Sequence, residues 1–154
     1  SLYGGSFAGN CIYSSYSNAF SGIRAYTNRA LVQSISALAI TGNAIHRPSC
    51  TGDGVELETG ATATTASIAG VAVTGNGIWM STTTAGAVHV NNNTSNDIQG
   101  VSITGNGVAL VDTIEKATNG TNTNASHAGG NAGYTATNIR TATSFEGEDG
   151  VSAK

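Results

Sequence analysis

The sequence predicts an all-β solenoid, with short strands wound into coils that stack about a shared apolar core. Three observations carry that prediction. The segment Thr74-Gly75-Asn76-Gly77-Ile78 recurs as Thr41-Gly42-Asn43-Ala44-Ile45 and as Thr104-Gly105-Asn106-Gly107-Val108, with a weaker copy at Ala8-Gly9-Asn10-Cys11-Ile12. The four glycines stand 33, 33 and 30 residues apart, a period that marks a repeat array. Around each Gly-Asn pair the apolar residues keep register: two apart before it (Leu38 and Ile40; Val71 and Val73; Val101 and Ile103), seven before the glycine (Leu2, Ile35, Ile68, Ile98), and three after it (Ile12, Ile45, Ile78, Val108). Spacing by two is strand alternation, and stacked coils turn equivalent positions into inward columns. The one gap is Gly5, where the next copy has Leu38.

Composition is the third observation. Apolar residues make up 39% of the 154, and charged residues only 10%, against about a quarter in ordinary domains. Gly, Asn, Thr, Ser and Ala fill the deficit, and Pro48 is the single proline. Without the repeat such a mixture reads as disordered; with it, many tight turns between short strands account for it. The net charge of −3 with scattered basic residues gives no nucleic-acid surface. No apolar run approaches the roughly 18 residues of a membrane span, and no signal peptide is evident. Two cysteines are too few for a disulfide framework; Cys11 points outward by alternation and Cys50 lies in a loop, so two unbridged thiols are expected.

Taken in order, residues 2–13 form a degenerate first strand pair, followed by a polar loop at 14–21. Gly22 to Asn28 is a further strand, because Ile23 and Ala25 match Val55 and Leu57 one coil on and Val88 and Val90 two coils on. Leu31 to Gln33 leads into the second coil, 34–69, whose loop runs from His46 to Asp53. The third coil is 70–99, with loops at 81–84 and 91–94. Each coil is expected to hold three strands, one before Gly-Asn, one just after it, and one like Gly54 to Thr59. The fourth begins at Gly100 and loses register after Leu110. The expected division is therefore 1–113 as coils and 114–154 as a low-complexity segment partly packed on the stack. Within the latter, Tyr134 to Phe145 alternates weakly and Glu146 to Gly150 is an acidic tail. Gly and Asn accept left-handed backbone at least cost, so each Gly-Asn pair is a corner. Asn10, Asn43, Asn76 and Asn106 are expected to stack there as a structural ladder.

These Thr-Gly-Asn corners resemble the right-handed parallel β-helix family, the fold of pectate lyases and many phage tailspikes. The resemblance covers residues 2–110 and implies about four right-handed coils with an irregular C-terminal segment. That family carries an asparagine ladder at one corner, which Asn43, Asn76 and Asn106 match. The charge-poor, Gly/Asn/Thr/Ser-rich composition is similar to tailspike and tail-fibre proteins. It implies a fragment of a virion-tail or otherwise extracellular protein, a homotrimer that contacts bacterial surface polysaccharide. A polysaccharide hydrolase or lyase, a bacterial adhesin and an ice-binding solenoid are the alternatives. The last needs threonines in flat strand columns, whereas Thr62, Thr64, Thr65 and Thr82 to Thr84 gather in loops.

Candidate site residues follow from the outward strand positions. Arg24, Glu56 and His89 form one column, and Tyr26, Glu58 and Asn91 the next. Glu56 and Glu58 lie about 7 Å apart by strand rise, a spacing suited to an inverting pair of carboxylates. They are weak catalytic candidates, because a solvated charge ladder between Arg24 and His89 accounts for them equally. By that reading both glutamates are exposed and charged, since the flanking loops look too short to wall off water. Tyr13, His46 and Trp79 form an outward aromatic column. It reads as a sugar-stacking surface, a subunit contact or a patch covered by other chain; Arg24 and His89 join it as candidate carbohydrate contacts. His46 and His89 are not spaced as a metal pair and no acids cluster with them, so neither metal nor cofactor is expected.

Overall fold

The computed structural model describes residues 2–27, 32–60, 65–80, 86–92, 97–111, 113–118, 121–124, 127–129 and 132–135. Among these there is no helix, and every paired strand is parallel to its neighbours. The strands, numbered in chain order, are β1 (Leu2–Tyr3), β2 (Ser6–Ala8), β3 (Cys11–Tyr13), β4 (Ile23–Thr27), β5 (Val32–Ser36), β6 (Ala39–Thr41) and β7 (Ala44–Arg47). Then come β8 (Val55–Thr59), β9 (Thr65–Ala69), β10 (Ala72–Thr74), β11 (Gly77–Met80), β12 (Gly86–Asn92) and β13 (Asp97–Gln99). The last are β14 (Ser102–Thr104), β15 (Gly107–Val111), β16 (Thr113–Thr118), β17 (Thr121–Asn124), β18 (His127–Gly129) and β19 (Ala132–Thr135).

Each sheet takes every fourth strand. The orders are β1-β5-β9-β13-β17, β2-β6-β10-β14-β18, β3-β7-β11-β15-β19 and β4-β8-β12-β16. This is a β-solenoid with four strands per repeat. The repeat therefore holds one strand more than the three expected. The stretch ending at Ser36 or Ala69 is a strand of its own, cut from the next by a left-handed residue. That residue is Gly4, Ala37, Gly70 or Gly100, with φ between 54° and 66°. Ala37 is the one described non-glycine at positive φ, a conformation that costs an L-residue roughly 1–2 kcal/mol.

Register pairs place like on like. Leu2, Ile35, Ile68 and Ile98 align, as do Phe7, Ile40, Val73 and Ile103 and Ile12, Ile45, Ile78 and Val108. Ile40, Val73 and Ile103 are wholly buried. At the first coil Gly5 leaves Leu38 half-buried, and a cavity of about 160 Å³ opens between Leu2, Phe7, Leu38 and Ile40. On the fourth sheet Gly54 lets the chain run against Ile78: a Cβ there would lie 2.6 Å from the Ala87 carbonyl oxygen and 2.6 Å from Ile78 Cγ2.

The Gly-Asn corners carry a buried polar column through this apolar stack. Asn43, Asn76 and Asn106 are at most 1% exposed. Asn43 donates from its backbone N–H (3.0 Å) and from Nδ2 (2.9 Å) to Asn76 Oδ1. Asn76 makes the same two bonds to Asn106 Oδ1, at 3.0 and 2.9 Å. The second Nδ2 proton goes to a carbonyl on the preceding coil: Phe7 for Asn43, Ile40 for Asn76, Val73 for Asn106. Asn10, at the exposed end of the column, donates to Asn43 Oδ1. Both donors and both lone pairs of Asn76 are thus used inside the protein.

The sheets continue past residue 113. Strand β16 pairs with β12, β17 with β13, β18 with β14 and β19 with β15. The ladder slips between Ala109 and Val111 and again between Ile98 and Gln99. The acidic tail, residues 136–145, Thr62, Thr64 and Thr82 to Thr84 lie outside the described residues. Replacing Asn76 by Ala should cost about 1–3 kcal/mol, because it strands both Asn43 donors in the core, while Asn106 Oδ1 keeps the backbone N–H of residue 76. Asn10→Ala should cost under about 1 kcal/mol, since Asn10 is exposed and its backbone N–H still donates to Asn43 Oδ1. Urea unfolding of the two variants checks the contrast; equal midpoints would contradict it.

Candidate functional site

Two outward faces hold the side chains with chemistry. On the β3-β7-β11 face, Tyr13, His46 and Trp79 are register partners. Alternation turns Ile12, Ile45 and Ile78 inward and these three rings outward. His46 meets Tyr13 edge-on at 5.2 Å between centroids and Trp79 edge-on at 4.1 Å. Tyr13 is 66% exposed and Trp79, the one tryptophan, 36%. The result is a continuous aromatic strip across three coils. Edge-to-face contact fixes the rings relative to one another, leaving apolar surface with polar tips at the Tyr13 hydroxyl and the ring nitrogens of His46 and Trp79.

On the β4-β8-β12 face, Arg24, Glu56 and His89 align, and Tyr26, Glu58 and Asn91 align beside them. Arg24 forks across the two glutamates, its Nε 3.1 Å from Glu56 Oε2 and its Nη2 hydrogen-bonded to Glu58 Oε2. Its guanidinium also lies over the Tyr26 ring, 4.4 Å from the centroid. The hydrogen bond to Glu58 is the main cause that holds the Arg24 pKa above its ordinary value, against the opposing effect of burial; the charges of Glu56 and Glu58 add to it. Arg24 stays cationic at every accessible pH.

The exposed ladder expected of Glu56 and Glu58 is not what the fold produces. Their side chains retain only 14% and 15% exposure, because the loops beside this face stack as the strands do. Gly22 N–H donates to the Asp53 carbonyl and Thr51 N–H to the Asn18 carbonyl. Arg47, 3% exposed, reaches up from β7 to the Phe20 carbonyl and to Asn18 Oδ1. Cys50, buried and unbridged, donates its thiol to the Tyr16 carbonyl, while Cys11 is exposed and unbridged. These bonds pin the 14–22 loop over the 47–53 loop and carry Ser21 to Glu56, with Ser21 Oγ 2.6 Å from Glu56 Oε2.

The same stacking brings in a residue that strand alternation could not find. Asp53, in the loop before β8, meets His89 with Oδ2 2.7 Å from Nδ1, and each residue is 8% exposed. Acids do therefore cluster with His89: ligand-capable atoms of Asp53, Glu56 and His89 lie within 4.8 Å of one another. The signal in the sequence was a loop acid two residues before the strand that lies beneath His89, outside the strand positions that alternation counts. Beyond His89, β16 sets Lys116 in register with it. His46 stands apart, in the aromatic strip.

No protein-family model matches this chain, and neither a curated protein nor a solved structure matches it.

The two acidic residues at this site should respond differently to neutralisation. Asp53→Asn replaces a charged acceptor in a largely buried pair and should cost about 1.5–3 kcal/mol. Glu56→Gln keeps an acceptor for Ser21 and Arg24 at a position that water still reaches, and should cost under about 1 kcal/mol. Thermal melts of both variants check the order, and a larger loss for Glu56→Gln would contradict it.

Proposed function

We propose that this chain is a right-handed β-helical receptor-binding part of a phage tailspike or tail fibre, and that it contacts bacterial surface polysaccharide as a homotrimer. The observation that carries this reading is the Tyr13-His46-Trp79 strip. Pyranose rings present flat C–H faces, and exposed aromatic rings in line along a rigid stack suit successive sugars of an extended chain. Coil spacing of about 4.8 Å is close to the length of one sugar residue, so a glycan laid along the stack meets one ring per coil. Arg24, its side chain 40% exposed, sits on the next face round and supplies charge for acidic sugars; His89, expected beside it as a further contact, is buried against Asp53. Phe7, 40% exposed beside the apolar cavity, favours association. Cyclic symmetry would set equal faces of three chains about one axis.

A second reading, a polysaccharide hydrolase or lyase, draws on the half-buried group of Asp53, Glu56, Glu58 and His89. Paired carboxylates are the groups that acid–base glycoside cleavage uses. Against it, Arg24 occupies both glutamates as ion-pair partners.

A glycan array probed with the intact chain, followed by light scattering, separates these readings. Trp79→Ala should abolish polysaccharide binding while the trimer mass and melting temperature hold. A variant that falls to monomers makes the strip a subunit contact instead. Shortening of the glycan by the wild-type chain, lost in Glu56→Gln, makes it an enzyme.

A further inference from the structure

We propose that Asp53, Glu56 and His89 form a binding site for a divalent transition-metal ion of the zinc class. Their donors come from three places the solenoid holds independently. Asp53 is fixed by its own carbonyl, which accepts from Gly22 N–H at 2.9 Å. Glu56 projects from β8 and His89 from β12, on adjacent coils in register. Their ligand-capable atoms already lie within 4.8 Å of one another, so an ion at about 2.0–2.2 Å from each donor requires side-chain adjustment and no backbone movement. The 2.7 Å separation of Asp53 Oδ2 and His89 Nδ1 must open to about 3.4 Å for tetrahedral zinc geometry.

The donor set selects the ion. One imidazole nitrogen with two carboxylates suits zinc and its neighbours, whereas calcium and magnesium take oxygen ligands throughout. Charge points the same way. Two carboxylates converge on His89, within 4.8 Å. An ion at Nδ1 calls for the neutral tautomer that carries its proton on Nε2. Outer contacts are also in place: Ser21 Oγ and Arg24 Nε both hold Glu56 Oε2, and such partners orient ligating carboxylates. Three protein ligands leave a fourth position for water. The site shares no residue with the aromatic strip of Tyr13, His46 and Trp79.

The test uses the full chain stripped with chelator and then titrated with Zn²⁺, Co²⁺ and Ca²⁺. Expected are one-to-one saturable Zn²⁺ binding by calorimetry and a rise in melting temperature of about 5–10 °C at a hundredfold excess over Kd. Co²⁺ should give the intense visible absorption of a tetrahedral site. Glu56→Gln and His89→Gln should each weaken Zn²⁺ at least tenfold. Should His89→Gln fail to fold by circular dichroism, Glu56→Gln decides, because that side chain keeps contact with water. Absence of saturable Zn²⁺ binding, undiminished binding by Glu56→Gln, or a preference for Ca²⁺ over Zn²⁺ would overturn the proposal.

Discussion

At the corner after β6, β10 and β14, the chain buries a carboxamide in three successive coils, and that carboxamide has to find its partners inside the protein. Asn76 does so by accepting two bonds from the coil on one side and donating to the coil on the other, with its last proton on the Ile40 carbonyl. The geometry works only if the corners sit directly above one another. Neighbouring sheets inherit that alignment. With Asn43 over Asn76, Ile40 faces Val73 on one side of the corner and Ile45 faces Ile78 on the other. A slip of one residue would turn every inward side chain out and leave the amides unpaired as well. Apolar burial supplies most of the driving force, but the amides fix the register in which burial happens.

Function inherits the same constraint. In a solenoid a residue's neighbours are set by the repeat length, so Tyr13, His46 and Trp79 meet although they are far apart in the chain. The 33-residue spacing of the first three corners keeps each ring within 5.2 Å of the next. Loops stacked before β4 and β8 do for Asp53, Glu56 and His89 what the strands do for the rings. They make a charged cluster out of residues that have no common motif.

Most of the fold could be read from the sequence where core positions repeat in kind. Ile35 and Ile68, or Ile40 and Val73, disclose the columns because burial demands apolar residues there. The fourth strand of the repeat was harder, since what cuts it from the next is a backbone conformation, taken by a glycine at three corners and by Ala37 at the other. Strands β16 to β19 are harder still. Their register puts Glu115 opposite Val88, Asn122 opposite Ile98 and Gly133 opposite Val108, so backbone pairing continues where the apolar pattern has ended. At the site, alternation could place the columns of Arg24, Glu56 and His89 but not their burial. Burial comes from the 14–22 and 47–53 loops, whose mutual bonds run through backbone carbonyls and through Arg47, and Asp53 enters by that route.

Residue-resolved amide exchange measured by NMR tests the ladder's controlling role most directly. If the stacked amides hold the coils in register, the backbone N–H groups of Asn43, Asn76 and Gly77 open only with the whole structure. They should then exchange among the slowest in the chain, with a free energy near that of global unfolding. Exchange at those three positions as fast as in the 14–21 loop would contradict the account, and would make the corners passive turns between strands that hold themselves in place.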